Sequence, residues 1–161
     1  MRKDATDWPG IYEWGPTALL PIFALLGTDF KSETILFQDQ KHVDIFAKME
    51  FIFKNAVASA SVGDGVKSEG ELIISGTKGY AYVPAPWWKT DYFELRYEDP
   101  SENRRYFYQL DGEGIRYELV AFARAVEKGK TLPNISLQTT KAISETMGQF
   151  AKRENCTVIR G

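Results

Sequence analysis

A chain of 161 residues, 43% hydrophobic and 26% charged, has an ordinary globular composition and enough length for one domain that buries a core without staples. Its net charge of −2 is mixed along the chain, so the basic excess or stripe of a nucleic-acid binder is missing. A single cysteine, Cys156, excludes an internal disulfide and favours a reducing compartment, and one histidine, His42, far from it in sequence argues against a structural zinc site.

Arg2 and Lys3 precede the apolar run Ala18–Leu26 in a loose imitation of a signal peptide. Asp4, Asp7, Pro9 and Glu13 intervene, and the run is too short to span a membrane. The expectation is a cytoplasmic protein with no membrane partner, whose residues 1–10 are disordered. A short helix is expected from about Pro16, because proline suits a first turn. Ala18, Leu19, Ile22, Phe23 and Leu26 recur at helical spacing, and Gly27 is placed to cap them.

The clearest strand follows. Val43, Ile45, Ala47, Met49, Phe51 and Phe53 alternate with Asp44, Phe46, Lys48, Glu50, Ile52 and Lys54. A small-residue strand runs from Ala56 to Val62. "ELIISG" and "YAYVPA" flank "TKG", which predicts a hairpin with Gly79 at positive φ. "YFELRYE" and "RRYFYQL" supply two more strands around the turn "DPSEN". The period then changes to helical: Ile115, Leu119, Phe122 and Val126, closed by Gly129. Pro133 and Ser136 open a last helix with Ser136 as N-cap, and "CTVIR" is placed as an edge strand. The fold class predicted is α+β: an open, mainly antiparallel sheet of six or seven strands with helices packed on one face.

Several catalytic signatures are absent: no G-x-G-x-x-G at a strand-to-helix turn, no P-loop spacing, no G-x-S-x-G elbow. Two stretches have ligand-binding chemistry. "GIYEWGPT" puts Glu13, Trp14 and Thr17 at the start of the first helix, where a carboxylate, an aromatic and a hydroxyl suit a polar ligand. The plain alternative is a helix terminus with Glu13 favoured by the dipole. "PAPWWK" puts Trp87, Trp88 and Lys89 behind two prolines, a flat apolar surface of the kind that stacks on sugar rings. The alternative there is a structural corner with proline packed on the rings. A third patch, Phe46, Lys48, Glu50 and Ile52, lies opposite the apolar row of its strand. It is too polar for a core and too apolar for bulk water, which suits a homo-oligomer interface.

Three segments, "GIYEWGPTALLPIFALLG", "ELIISGTKGYAYV" and "GEGIRYELVAFARAVEKGK" with its continuation "SLQTTKAISETM", give the chain from Gly10 to Phe150 a resemblance to a known family. It resembles the C-terminal domain of the glucose–fructose oxidoreductase, inositol dehydrogenase and MocA family of NAD(P)-dependent sugar and polyol dehydrogenases. The resemblance implies a substrate-side and oligomerisation domain, associating through its open sheet face, whose full-length parent uses NAD or NADP. Family members begin with a Rossmann domain that binds the dinucleotide and supplies a lysine. It has no counterpart in these 161 residues, so this chain alone is expected to bind no cofactor and to be inactive by itself, as a separated fragment or a stand-alone remnant. The family's D-x-G-x-H-like segment corresponds to Glu13-Trp14-Gly15-Pro16-Thr17. Its histidine falls on Thr17, and threonine does not relay a proton near neutrality as histidine does. Glu13 and Thr17 would then face the substrate mouth. Two other readings remain: a free-standing carbohydrate-binding module built on Trp87, Trp88 and Lys89, or a self-association scaffold.

Overall fold

The computed structural model describes residues 10–40, 43–63, 66–112, 114–130 and 135–159. Residues 1–9, His42 and Pro133 lie outside these. The chain divides into two compact units, Met1–Lys67 with Pro133–Gly161, and Ser68–Leu132.

The first unit holds helix α1 (Gly10–Leu26), strands β1 (Ser32–Gln40), β2 (Val43–Ile52) and β3 (Val57–Val62), the C-terminal helix, and a final strand. Its sheet has the order β3-β2-β1 and then Cys156–Ile159, the last pairing parallel to β1 and the others antiparallel. Alternation decides which side is buried. Ile35 and Phe37 of β1 face inward with Ala47, Met49 and Phe51 of β2, all buried, and α1 adds Ile11, Leu19, Ile22 and Phe23. The C-terminal helix, Leu137–Lys152, contributes Ala142, Met147 and Phe150. Edge-to-face pairs join the layers: Phe23 with Phe51 at 5.2 Å and Phe37 with Phe150 at 5.3 Å between ring centroids. Ser136 caps the C-terminal helix as expected, its hydroxyl accepting from the Thr139 amide at 3.0 Å. Gly27 ends α1 at φ +80°.

Helix α1 begins at Gly10, a turn and a half before Pro16. Proline disfavours helical backbone in the residue before it partly through that residue's Cβ. That residue is Gly15, which has none, so this part of the penalty is absent at Pro16; the helix also continues through Pro21, which follows Leu20. Gly15 also lies at the crossing with the C-terminal helix. A Cβ built there would stand 3.1 Å from Met147 Sδ and 3.3 Å from Ile11 Cγ1. Gly15→Val should therefore destabilise the protein by about 1–3 kcal/mol through overpacking, whereas Gly15→Ala should lie near neutral because the flexible Met147 tip gives way and helix propensity improves. Thermal unfolding of the two variants separates these outcomes.

One acid is buried in this core. Glu33 on β1 faces inward, accepts a hydrogen bond from Thr146 Oγ1 at 3.1 Å, and leaves its second carboxyl oxygen buried without a hydrogen-bond partner. Burial pushes the carboxyl above its ordinary value of 4.5, and the Thr146 hydroxyl offsets only part of this. A raised folded-state pKa means that the folded chain holds the proton more tightly than the unfolded chain. The Glu33 contribution is then fully present below pH 4.5 and is lost as pH rises through the folded-state value. Glu33→Gln, neutral at every pH, should flatten that loss and gain stability over wild type toward neutrality. Denaturant unfolding across pH 4 to 8 would read it.

The second unit is a meander. Strands β4 (Leu72–Ser75), β5 (Gly79–Val83), β6 (Tyr92–Tyr97) and β7 (Arg104–Phe107) pair antiparallel in sequence order, and α2 (Ile115–Lys128) follows. No described residue of this unit is buried. Gly79 departs from expectation. It does not take positive φ but sits in β5, where an added Cβ would stand 2.5 Å from the Arg96 carbonyl oxygen. Its requirement is close backbone approach, and the turn is closed by Gly76 N–H donating to Gly79 O at 2.9 Å.

The α+β class with open, mainly antiparallel sheets is borne out. Among the described residues the strands number eight and form two four-stranded sheets instead of one. Strand β1 is the one not anticipated: Glu33 faces inward and Leu36 outward, so its apolar alternation is broken on both faces. The final strand, β8 (Cys156–Ile159), lies at a sheet edge as expected, and α1 and α3 (Leu137–Lys152) pack on one face of the first sheet.

Candidate functional site

Glu13, Trp14 and Thr17 occupy the first two turns of α1. Ile11, Gly15, Leu19 and Ile22 turn one side of the helix into the core, which places Glu13 and Thr17, one turn apart, on the opposite side. Glu13 is exposed, Trp14 is 40% exposed and Thr17 is half-buried. Glu13 and Thr17 thus lie on the side of α1 away from the core, with Trp14 following Glu13 along the helix.

Trp87, Trp88 and Lys89 belong to the other unit. They form a single 3-10 turn after a cis Ala85–Pro86 bond. The indoles stand perpendicular, 6.0 Å apart. Trp87 is half-buried and its amide donates to Gly70 O at 3.0 Å, while the exposed Trp88 lies against Gly70. Trp87 is thus tied to the Gly70 corner by its backbone, and the Trp88 ring is presented to solvent. A cleft of about 460 Å³ adjoins the turn. Pro86, Lys89, Asp91, Tyr92 and Gln109 line it, and neither tryptophan does. The two candidate groups thus lie in separate units, each with its own surroundings.

The patch on β2 is placed as the alternation required. Phe46, Lys48, Glu50 and Ile52 lie on the sheet face opposite α1 and α3, and Ile52 is 49% exposed. Lys48 Nζ meets Glu50 Oε1 of the same strand at 2.9 Å, so both charges already have a partner within the chain.

A further constellation was missed from the sequence. On one face of the second sheet, Glu94 sits between two arginines. Arg96 Nε donates to Oε2 at 2.6 Å and Arg105 Nε donates to Oε1 at 2.7 Å. Arg96 lies 4.3 Å over the Tyr82 ring and Arg105 lies 4.7 Å over Tyr92. Strands β5, β6 and β7 are thereby cross-linked by alternating ion pairs and cation–π contacts. The signal that would have found it is the pairing of Glu94 with Tyr82 and Arg105 across the ladder, which needs the register.

Among the described residues no group of three or more His, Cys, Asp or Glu side chains could hold a metal ion, and no helix is long and apolar enough to cross a membrane. They also offer no seat for a dinucleotide pyrophosphate. The first turn of α1 carries Glu13, the Ser136 hydroxyl ahead of α3 is bonded to its own helix, and Arg116 in the first turn of α2 is engaged by Asp111.

No family model matches the sequence, and no curated protein matches it. Its fold, however, is shared with solved structures. KijD10, a 3-ketoreductase from Actinomadura kijaniata in complex with TDP-benzene and NADP, matches in its open conformation with a TM-score of 0.71 at 12% identity, over 99% of this chain and 51% of that one. The candidate oxidoreductase yvaA from Bacillus subtilis matches at 0.68 and 14% identity, over 96% and 52%. The candidate oxidoreductase YPO2259 from Yersinia pestis matches at 0.64 and 12% identity, over 100% and 54%. The chain therefore spans about half the length of the structures that it resembles.

The Glu94 constellation has a pH signature. Its carboxyl is held below the ordinary 4.5, chiefly by the hydrogen bond from Arg105 and then by that from Arg96. A depressed folded-state pKa gives stability that is present above pH 4.5 and lost as pH falls through the folded value. Glu94→Gln should remove this acid-side loss and speed amide exchange in β6 and β7 at neutral pH, while amides of β1 and β2 stay unchanged. Hydrogen exchange by mass spectrometry checks both halves.

Proposed function

We propose that this chain is the substrate-side and oligomerisation part of an NAD- or NADP-dependent oxidoreductase acting on a sugar or polyol. The observation that carries the reading is the match of nearly the whole chain to about half of a 3-ketoreductase crystallised with NADP. The bound dinucleotide would supply the hydride. Since the described residues do not fit it, its binding falls to protein outside this chain. The role left to this chain is to hold and orient the substrate. Glu13 accepts hydrogen bonds from substrate hydroxyls, Thr17 one turn on can donate or accept one, and Trp14 offers a flat apolar wall. With threonine at position 17, proton transfer falls to another group.

A second reading, a carbohydrate-binding module, is favoured by the cleft beside Lys89 and the exposed Trp88 ring. The two separate under one assay. Tryptophan emission during polyol titration should change weakly, and the change should vanish in Glu13→Ala. If it vanishes instead in Trp88→Ala, the second reading stands. NADPH fluorescence should show no saturable micromolar binding to the chain alone. Association through the β2 face belongs to the same proposal. Phe46→Asp with Ile52→Asp should remove one step of self-association in sedimentation equilibrium, and an unchanged assembly would exclude that face.

A further inference from the structure

Helix α2 carries an apolar stripe for which its own unit has no use. Ile115, Leu119, Phe122 and Val126 are each 61–65% exposed. They are not a frayed end: α2 is closed by left-handed Gly114 and Gly129, and Asp111 anchors its first turn through Arg116. The stripe spacing is four, three, four, which is a coiled-coil seam. It is also the same read in either direction.

We infer that α2 pairs antiparallel with α2 of a second copy of this chain. A two-fold axis between residues 120 and 121 sets Ile115 opposite Val126 of the second copy and Leu119 opposite its Phe122, and each contact occurs twice, as an isologous interface requires. Charge selects this orientation. Counted outward from the axis, residues 111–120, with Asp111, Glu113, Arg116 and Glu118, sum to −2, and residues 121–130, with Arg124, Glu127, Lys128 and Lys130, sum to +2. Antiparallel pairing brings unlike halves and unlike helix dipole ends together, whereas parallel pairing stacks like on like. Beside the seam, Arg116 and Glu118 lie across from Ala123 and Ala125 of the second copy, so no like charges meet and the backbones can approach closely. Three turns bury little, so the pair sits at the low end of stable interfaces, below about 1,200 Å² in total, and exchanges reversibly. This surface is distinct from the β2 face, and the two together would give a dimer of dimers.

The test uses the full chain in a Cys156→Ser background. A mixture of Leu119→Cys and Phe122→Cys chains under a glutathione redox buffer should yield mainly the mixed disulfide dimer, with little from either chain alone. Sedimentation equilibrium of Leu119→Glu with Phe122→Glu should show association through this seam weakened by about thirtyfold or more, the usual cost of removing central anchors. The Phe46→Asp with Ile52→Asp variant should retain the seam, which separates this inference from the proposal for the β2 face. Cross-links between like positions that equal the mixed one would overturn the antiparallel pair. A wild-type chain that sediments as a monomer would overturn self-pairing altogether and leave the stripe to a partner of different sequence. Should the glutamate variant lose helicity, the cross-linking result decides.

Discussion

The close crossing of α1 over α3 at Gly15 governs the first unit. With no Cβ at Gly15, the Met147 tip and Ile11 pack close to the α1 backbone, and a larger side chain there would displace them. That contact belongs to the buried stripe that sets the rotation of α1 about its axis, and the rotation decides what α1 presents. Ile11, Leu19, Ile22 and Phe23 meet the sheet, and Glu13 and Thr17 look away from it. The candidate polar groups are built on the first two turns of α1. A surface on a helix is held more rigidly than one on a loop, which matters if those groups must orient a substrate.

The second unit is assembled on different physics. No residue among those described is fully buried, so the strands rest on ladder hydrogen bonds and half-buried side chains, to which the two guanidinium groups on Glu94 and the rings beneath them add cross-strand contacts. Planar, delocalised Arg suits both duties at once; Lys would give up the fork and the stacking.

Much of this was legible in the sequence. Alternation in β2, the change to helical period at Ile115, the Ser136 cap and the Gly129 stop all report local physics, and local physics is what a single chain displays. What escaped was set by tertiary pairing. Strand β1 puts an acid inward and a leucine outward, so no pattern announced it. Gly79 was expected to serve a turn, yet its reason is the Arg96 carbonyl lying across the ladder from it. The Glu94 constellation needed the register of three strands. For the site, residue types and helix face were readable for Glu13, Trp14 and Thr17, and the exposure of one indole of the Trp87–Trp88 pair required knowing where Gly70 lies.

The two carboxyls, Glu33 and Glu94, give the units opposite answers to acid. Lowering pH adds to the folded-state preference where Glu33 is buried, and subtracts from it where Glu94 is clasped. A single change of pH therefore acts with opposite sign on the two carboxyls, one in each unit.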